Sequence, residues 1–93
     1  MKMLRYGSER MDDGSAEITY YLTVDLFTCE TGAELEGYGV MAAMEGGDTA
    51  AVRCVTVHSE EARRLLDVLR RGRVTPVTLR DVVEDWVAGR TTM

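Results

Sequence analysis

The stretch "EITYYLTVDLF", residues 17–27, decides the fold because apolar and polar side chains alternate along it. A period of two places one set on a buried sheet face and the other toward water, here the side of Thr19, Thr23 and Asp25. β-Branched and aromatic residues also suit a pleated surface. The stretch therefore predicts a long strand whose buried face is formed by Ile18, Tyr20, Leu22, Val24 and Leu26.

Turns that contain glycine separate this strand from three other candidate strands. Asp13-Gly14 precedes it and is typical of a tight hairpin, Gly32 lies in the polar segment that follows, and "EGGD" at 45–48 forms the third turn. The sequence does not decide which face of the last predicted strand is buried, because polar and apolar side chains occur on both of its faces. The predicted strands cover about 3–11, 17–27, 35–44 and 49–57.

The period changes in "SEEARRLLDVLRRG", residues 59–72, where apolar residues recur at helical spacing. Ser59 is a good N-cap, and Gly72 is suited to the left-handed position after the last turn. Start and end signals therefore agree on a helix over 59–71. Its predicted buried stripe consists of Ala62, Leu65, Leu66 and Leu69.

A second helix follows, and the sequence offers two starts for it. Pro76 would be the first helical residue behind a Thr75 cap. In the preferred alternative Thr78 is the cap, and Val77 packs on Val82 as a hydrophobic staple. This start predicts a helix over 78–89 that ends at Gly89, with Leu79, Val82, Val83 and Trp86 buried and Asp81, Glu84 and Asp85 in solvent.

The order of these elements indicates a single α+β domain over residues 1–93. Strands that come first and helices that come later favour an antiparallel sheet over a parallel one. We therefore expect an antiparallel meander of three to four strands, followed by two C-terminal helices packed on one face.

Three short motifs occur in the same order as in a known family. They are Tyr20-Tyr21, then Tyr38-Gly39-Val40, then Pro76-Val77-Thr78-Leu79 with Asp81-Val82. On these motifs the chain resembles a small bacterial family of about the same length, known only as a domain of unknown function. The resemblance spans most of the chain and implies a common fold, but it implies no activity, cofactor or ligand.

Charge and composition narrow the classes of partner and compartment. Residues 1–48 hold three basic and ten acidic side chains, a net charge of −7, whereas residues 49–93 hold eight basic and six acidic side chains, a net charge of +2. The first half should repel phosphate. The sequence shows no signal peptide and no apolar run of membrane-spanning length, and it has only two cysteines. We expect a cytoplasmic protein that has no membrane contact.

No set of residues predicts catalysis, a metal site or a cofactor. His58 and Cys54 are four residues apart on a predicted strand, which separates their side chains by about 13 Å, too far for a nucleophile–base pair. Cys29, Cys54 and His58 lack the close ligand spacing of a zinc site. We therefore expect a protein that is not an enzyme.

Arginines are the strongest candidates for a binding surface. Five lie within eleven residues, and most of them share the outer face of the first predicted helix, which is interrupted by Asp67. Such a face can contact an acidic protein or phosphates. We expect a protein-interaction or regulatory module that binds a partner or itself; the alternative is nucleic-acid binding. The candidate residues are Arg63, Arg64, Arg70, Arg71 and Arg73.

Overall fold

The computed structural model describes residues 1–91, the last two by their backbone alone. The chain forms four strands and then two helices, which confirms the predicted α+β class. The elements are β1 (Lys2–Arg10), β2 (Glu17–Thr28), β3 (Glu34–Met44), β4 (Thr49–Thr56), α1 (Ser59–Arg71) and α2 (Leu79–Thr91).

The sheet is an antiparallel meander in the order β1-β2-β3-β4. The β2–β3 pairing is unbroken from Ile18 opposite Met44 to Thr28 opposite Glu34. These two strands are the central pair of the sheet. In β4 the register shifts, because three residues lie between Val52 and Thr56 where β3 has only Gly39. This bulge explains why the facing of β4 could not be predicted from a period of two.

The core lies between the sheet and α1, with α2 completing it beside β4. The alternation in β2 and the helical spacing in α1 each supply one apolar surface, and the two surfaces pack together. The fully buried side chains include Ile18, Tyr20, Val40, Leu65, Leu66, Leu69 and Leu79. Tyr20 also donates a hydrogen bond from its hydroxyl to the Val74 carbonyl oxygen, at 2.7 Å, which ties the segment after α1 to the sheet.

Both ends of α1 differ in detail from the prediction. The N-cap is His58 and not Ser59, and its side chain makes no capping hydrogen bond. At the other end Gly72 has a right-handed φ of −87°, and Arg73 takes the left-handed position with φ 47°. The Val74 N–H donates to Leu69 and the Arg73 N–H to Arg70, which is the Schellman arrangement displaced by one residue from the expected glycine.

The second helix begins where expected, immediately after Thr78, whose carbonyl accepts the first helical hydrogen bond, from Val82. The predicted staple is wrong, because the Val77 side chain is 79% exposed. Gly89 does not end α2, which continues to Thr91. Of the predicted buried stripe, Leu79 and Val83 are buried, whereas Val82 and Trp86 are half-buried against the core. The three carboxylates are exposed as predicted.

Candidate interaction surface

The sheet is longer than the helices that cover it. A strand of 12 residues such as β2 is about 41 Å long, whereas a helix of 13 residues such as α1 is about 20 Å long. Side-chain contacts show how α1 crosses the sheet: Glu61 near its start accepts from Thr56 at the end of β4, and Arg70 near its end reaches Glu9 on β1. The corner of the sheet at the start of β1 and the β2–β3 hairpin is therefore left uncovered.

This uncovered corner carries a row of apolar side chains on the helix side of the sheet. Leu4 is opposite the buried Leu22, and Val24 is opposite Tyr38, so the register places all of them on the face that α1 covers elsewhere. Leu26 is 65% exposed and Leu4 44% exposed. We call this row, Leu4, Val24, Leu26 and Tyr38, the ledge.

The ledge was missed in the sequence because alternation alone predicted that Leu26 is buried. Alternation identifies the face of a strand but does not say how far along that face the covering helices extend. The signal was nevertheless present in the bounds of the predicted elements, since neither of the helices predicted over 59–71 and 78–89 is long enough to span the strands predicted over 17–27 and 35–44 from end to end.

Charged residues of both signs border the ledge. Glu34 and Glu36 follow the same alternation as Tyr38 and so lie on the ledge side of β3. The Tyr38 hydroxyl donates to Glu36 at 3.1 Å, which raises the pKa of Tyr38, and the positive charge of Arg63 on α1 partly opposes that rise. An acidic rim therefore lies on the hairpin side, and a basic wall lies on the α1 side.

Of the predicted arginines, Arg70 is held inside the fold. Its guanidinium donates two hydrogen bonds to Glu9 Oε2, at 2.9 and 3.2 Å, and lies 5.8 Å from the centre of the Tyr6 ring. The Tyr6 hydroxyl in turn donates to Asp67 on α1. Because these contacts attach the end of α1 to β1, Arg70 has a structural role.

Arg73 and Arg71 are also partly engaged by neighbouring groups. Arg73 donates to the Arg10 carbonyl at 2.9 Å and lies 3.3 Å from Asp12, so it holds the β1–β2 hairpin. Arg71 donates to the Asp67 carbonyl one turn earlier. Arg63 and Arg64 are exposed on the first half of α1. The structure thus divides the predicted cluster, with Arg63 beside the ledge and Arg70 and Arg73 at the opposite end of the helix.

A polar groove of about 640 Å³ lies where the end of α1 meets β1. Its lining contains the acidic Glu9 and Asp67 beside Arg70, Arg71 and Arg73. Since Glu9 neutralises Arg70 and Asp12 accompanies Arg73, the groove does not present a concentrated positive charge of the kind that phosphate groups attract.

The helix-free face of the sheet holds an ion pair across three strands. Asp25 on β2 is buried and accepts hydrogen bonds from Arg53 on β4, which lower the pKa of the Asp25 carboxyl. Arg53 can cross β3 because Gly37 and Gly39 have no side chains there; a Cβ on Gly39 would collide with the Val52 carbonyl. The prediction that Asp25 and Thr23 face water is therefore wrong.

The residues weighed for catalysis do not converge. Cys54 is exposed in the β4 bulge with its thiol 3.9 Å from Asp25, Cys29 lies in the β2–β3 turn beside Thr31, and both cysteines are free. His58 is exposed at the start of α1. Among residues 1–91 no group of three or more His, Cys, Asp or Glu residues is arranged to hold a metal ion. Neither described helix is long and apolar enough to cross a membrane.

Comparison with known proteins places the chain in a family. The model of a family of unknown function (DUF6514) matches residues 1–89, so the chain belongs to that family. This confirms the resemblance to a domain of unknown function. No curated protein and no solved structure matches the chain.

Proposed function

We propose that this member of a family of unknown function is a non-enzymatic, cytoplasmic protein-interaction domain, and that the ledge is the surface with which it binds. The observation that carries the proposal is the exposure of Leu26 and Leu4 on a sheet face that is otherwise buried under α1. Val24 and Tyr38, which are half-buried against the core, lie beside these two exposed leucines. Exposed apolar side chains that are grouped on a small domain are typical of contacts with another protein.

The form of the ledge favours a protein surface over a small molecule. Its floor is a strand surface that extends across β1, β2 and β3, and it is open on the hairpin side. Small ligands instead bind in concave cavities that enclose most of their surface. An apolar floor with a charged border is also the usual arrangement of protein interfaces.

The charge at the ledge argues against nucleic acid as the partner. On the hairpin side of the ledge, residues 26–36 contain Glu30, Glu34 and Glu36 but no lysine or arginine. A phosphate backbone that approached Arg63 from the ledge would meet these carboxylates first. The two arginines that would have completed a basic stripe along α1, Arg70 and Arg73, are already paired with Glu9 and Asp12.

The experiment is a quantitative pull-down from a lysate of the source organism with the full chain as bait. The wild type is compared with Leu26→Ser in the ledge and with Val77→Ser, which changes a still more exposed valine before α2. We expect a protein recovered by the wild type and by Val77→Ser but lost with Leu26→Ser. Recovery that is equal for all three baits, or absent for all, would contradict the proposal.

A further inference from the structure

We infer that the partner of the ledge is a second copy of this chain, related by a two-fold axis, with the two ledges facing each other. This inference rests on the proposed function and names its partner. It is carried by two properties of the surface, its stepped shape and its paired charges.

The shape of the molecule beside the ledge is a step. The sheet is the low part, and α1 rises from it as a wall about 10 Å high, the thickness of a helix. Two sheets that pack face to face are also separated by about 10 Å. When the ledges of two copies face each other, each β2–β3 hairpin therefore lies at the height of the other copy's α1, so the heights of the two steps match.

The charges around the step are self-complementary. The hairpin side carries Glu34 and Glu36, and the wall carries Arg63, with Arg64 beside it on the outer face of α1. A two-fold axis through the ledge brings the hairpin of each copy to the wall of the other, so the same acid–base contact forms twice. An isologous interface requires this arrangement, in which one patch contains both halves of each contact.

Other modes of self-association fit the structure less well. Strands β1 and β4 have free edges, but β1 carries Lys2, Arg5 and Arg10, and β4 is interrupted by the bulge at Cys54, where φ is 55°. Charged side chains and bulges are features that prevent pairing between sheet edges. The ledge is apolar across β2, and its charged side chains lie around it: Glu34 and Glu36 on β3, Arg63 on α1, and Lys2 on the edge strand β1 opposite Val24. This arrangement favours packing by faces.

The test is charge exchange measured by sedimentation equilibrium. One variant carries Glu34→Arg and Glu36→Arg, and the other carries Arg63→Glu and Arg64→Glu. We expect the wild type to dimerise and each variant alone to associate about tenfold or more weakly, since like charges then meet at both contacts. An equimolar mixture should dimerise again, because one reversed pair and one native pair form.

Two results would overturn the inference: a wild type that remains monomeric at every concentration, or a mixture that associates no better than its components. Circular dichroism establishes that each variant is folded, and Leu26→Ser provides a second, uncharged disruption of the same interface, with Val77→Ser as its control. If the wild type is monomeric but the pull-down recovers another protein that depends on Leu26, the second copy is excluded while the proposed function stands.

Discussion

One sheet contains two regions that differ in what covers them. Where α1 crosses β2 and β3, side chains such as Ile18 and Tyr20 are fully buried; a few residues further along β2, Leu26 on the same face is 65% exposed. The alternation of the strand is the same in both regions, so the sequence pattern of a buried face continues beyond the cover. The difference teaches that the first region carries the stability of the fold, whereas the second leaves apolar side chains exposed to solvent.

The largest expected effect comes from truncating one leucine in each region. Leu66→Ala removes a fully buried side chain of α1 and should cost about 2–5 kcal/mol of unfolding free energy, because a cavity remains in the core. Leu26→Ala in the ledge should cost less than about 0.5 kcal/mol. Urea titrations of the two variants at low protein concentration measure both values. Equal losses would abolish the distinction between the regions.

The next effect concerns how the strands at the border of the ledge are held together. Gly39→Ala places a Cβ against the Val52 carbonyl and 2.7 Å from Thr23 Oγ1, so β3 and β4 must separate. We expect a loss of about 2–3 kcal/mol by overpacking. The same substitution at Gly47, whose Cβ would lie no closer than 3.7 Å to any neighbour, is the control and should have a much smaller effect. An unchanged unfolding free energy in Gly39→Ala would show that the close contact between residue 39 and the Val52 carbonyl is not needed for stability.

The covered region and the ledge should also differ in how their tyrosine hydroxyls affect stability at high pH. Burial raises the pKa of Tyr20 from 10.0 to about 12, so the folded state holds this proton more tightly than the unfolded state. The resulting stability is complete below about pH 10 and is lost as the pH rises toward 12, with a slope of up to about 1.4 kcal/mol per pH unit.

Tyr20→Phe should therefore lower the unfolding free energy by about 1 kcal/mol at neutral pH, because the Val74 carbonyl loses its donor, and should flatten the alkaline decline. Tyr38→Phe, in the ledge, should leave the neutral-pH stability nearly unchanged. Urea titrations between neutral pH and pH 12 compare them. If the unfolding free energy of Tyr20→Phe fell as steeply at high pH as that of the wild type, ionisation of groups other than Tyr20 would be responsible for the loss.

The smallest effect on stability is expected near the end of α2, where the helix is exposed to solvent. Gly89 lies within the helix, and nothing is within 4 Å of a Cβ built on it. Gly89→Ala should raise the unfolding free energy by up to about 1 kcal/mol, because alanine loses less backbone entropy in a helix. A decrease in thermal denaturation temperature would indicate that residue 89 is not helical in solution.

Much of the fold is predictable because it depends on local periodicity. The alternation in β2 and the helical spacing of Leu65, Leu66 and Leu69 each act within one element, and both predictions are confirmed. The departures arise from residues that are distant in sequence. Asp25 is buried because Arg53 reaches it from two strands away, across two glycines, and no periodicity within β2 contains that information.

The candidate site shows the same limit. Clustering in the sequence identified the arginines of α1, but their environments differ because α1 lies diagonally across the sheet: Arg70 meets Glu9, whereas Arg63 faces the ledge. The ledge depends on where α1 and α2 lie relative to β1, β2 and β3, which are separate elements formed earlier in the chain. The predicted lengths of strands and helices could have indicated an uncovered end, although not which corner of the sheet it would occupy.

The most direct measurement of the central claim is a series of ¹H–¹⁵N NMR spectra of the wild type at increasing protein concentration. We expect the amide resonances that shift or broaden to be those of Leu4, Val24, Leu26, Glu36, Tyr38 and Arg63, while residues of the covered core, such as Leu66, stay constant. Spectra that do not change with concentration, or changes confined to the helix-free face around Thr19 and Ala43, would contradict self-association through the ledge.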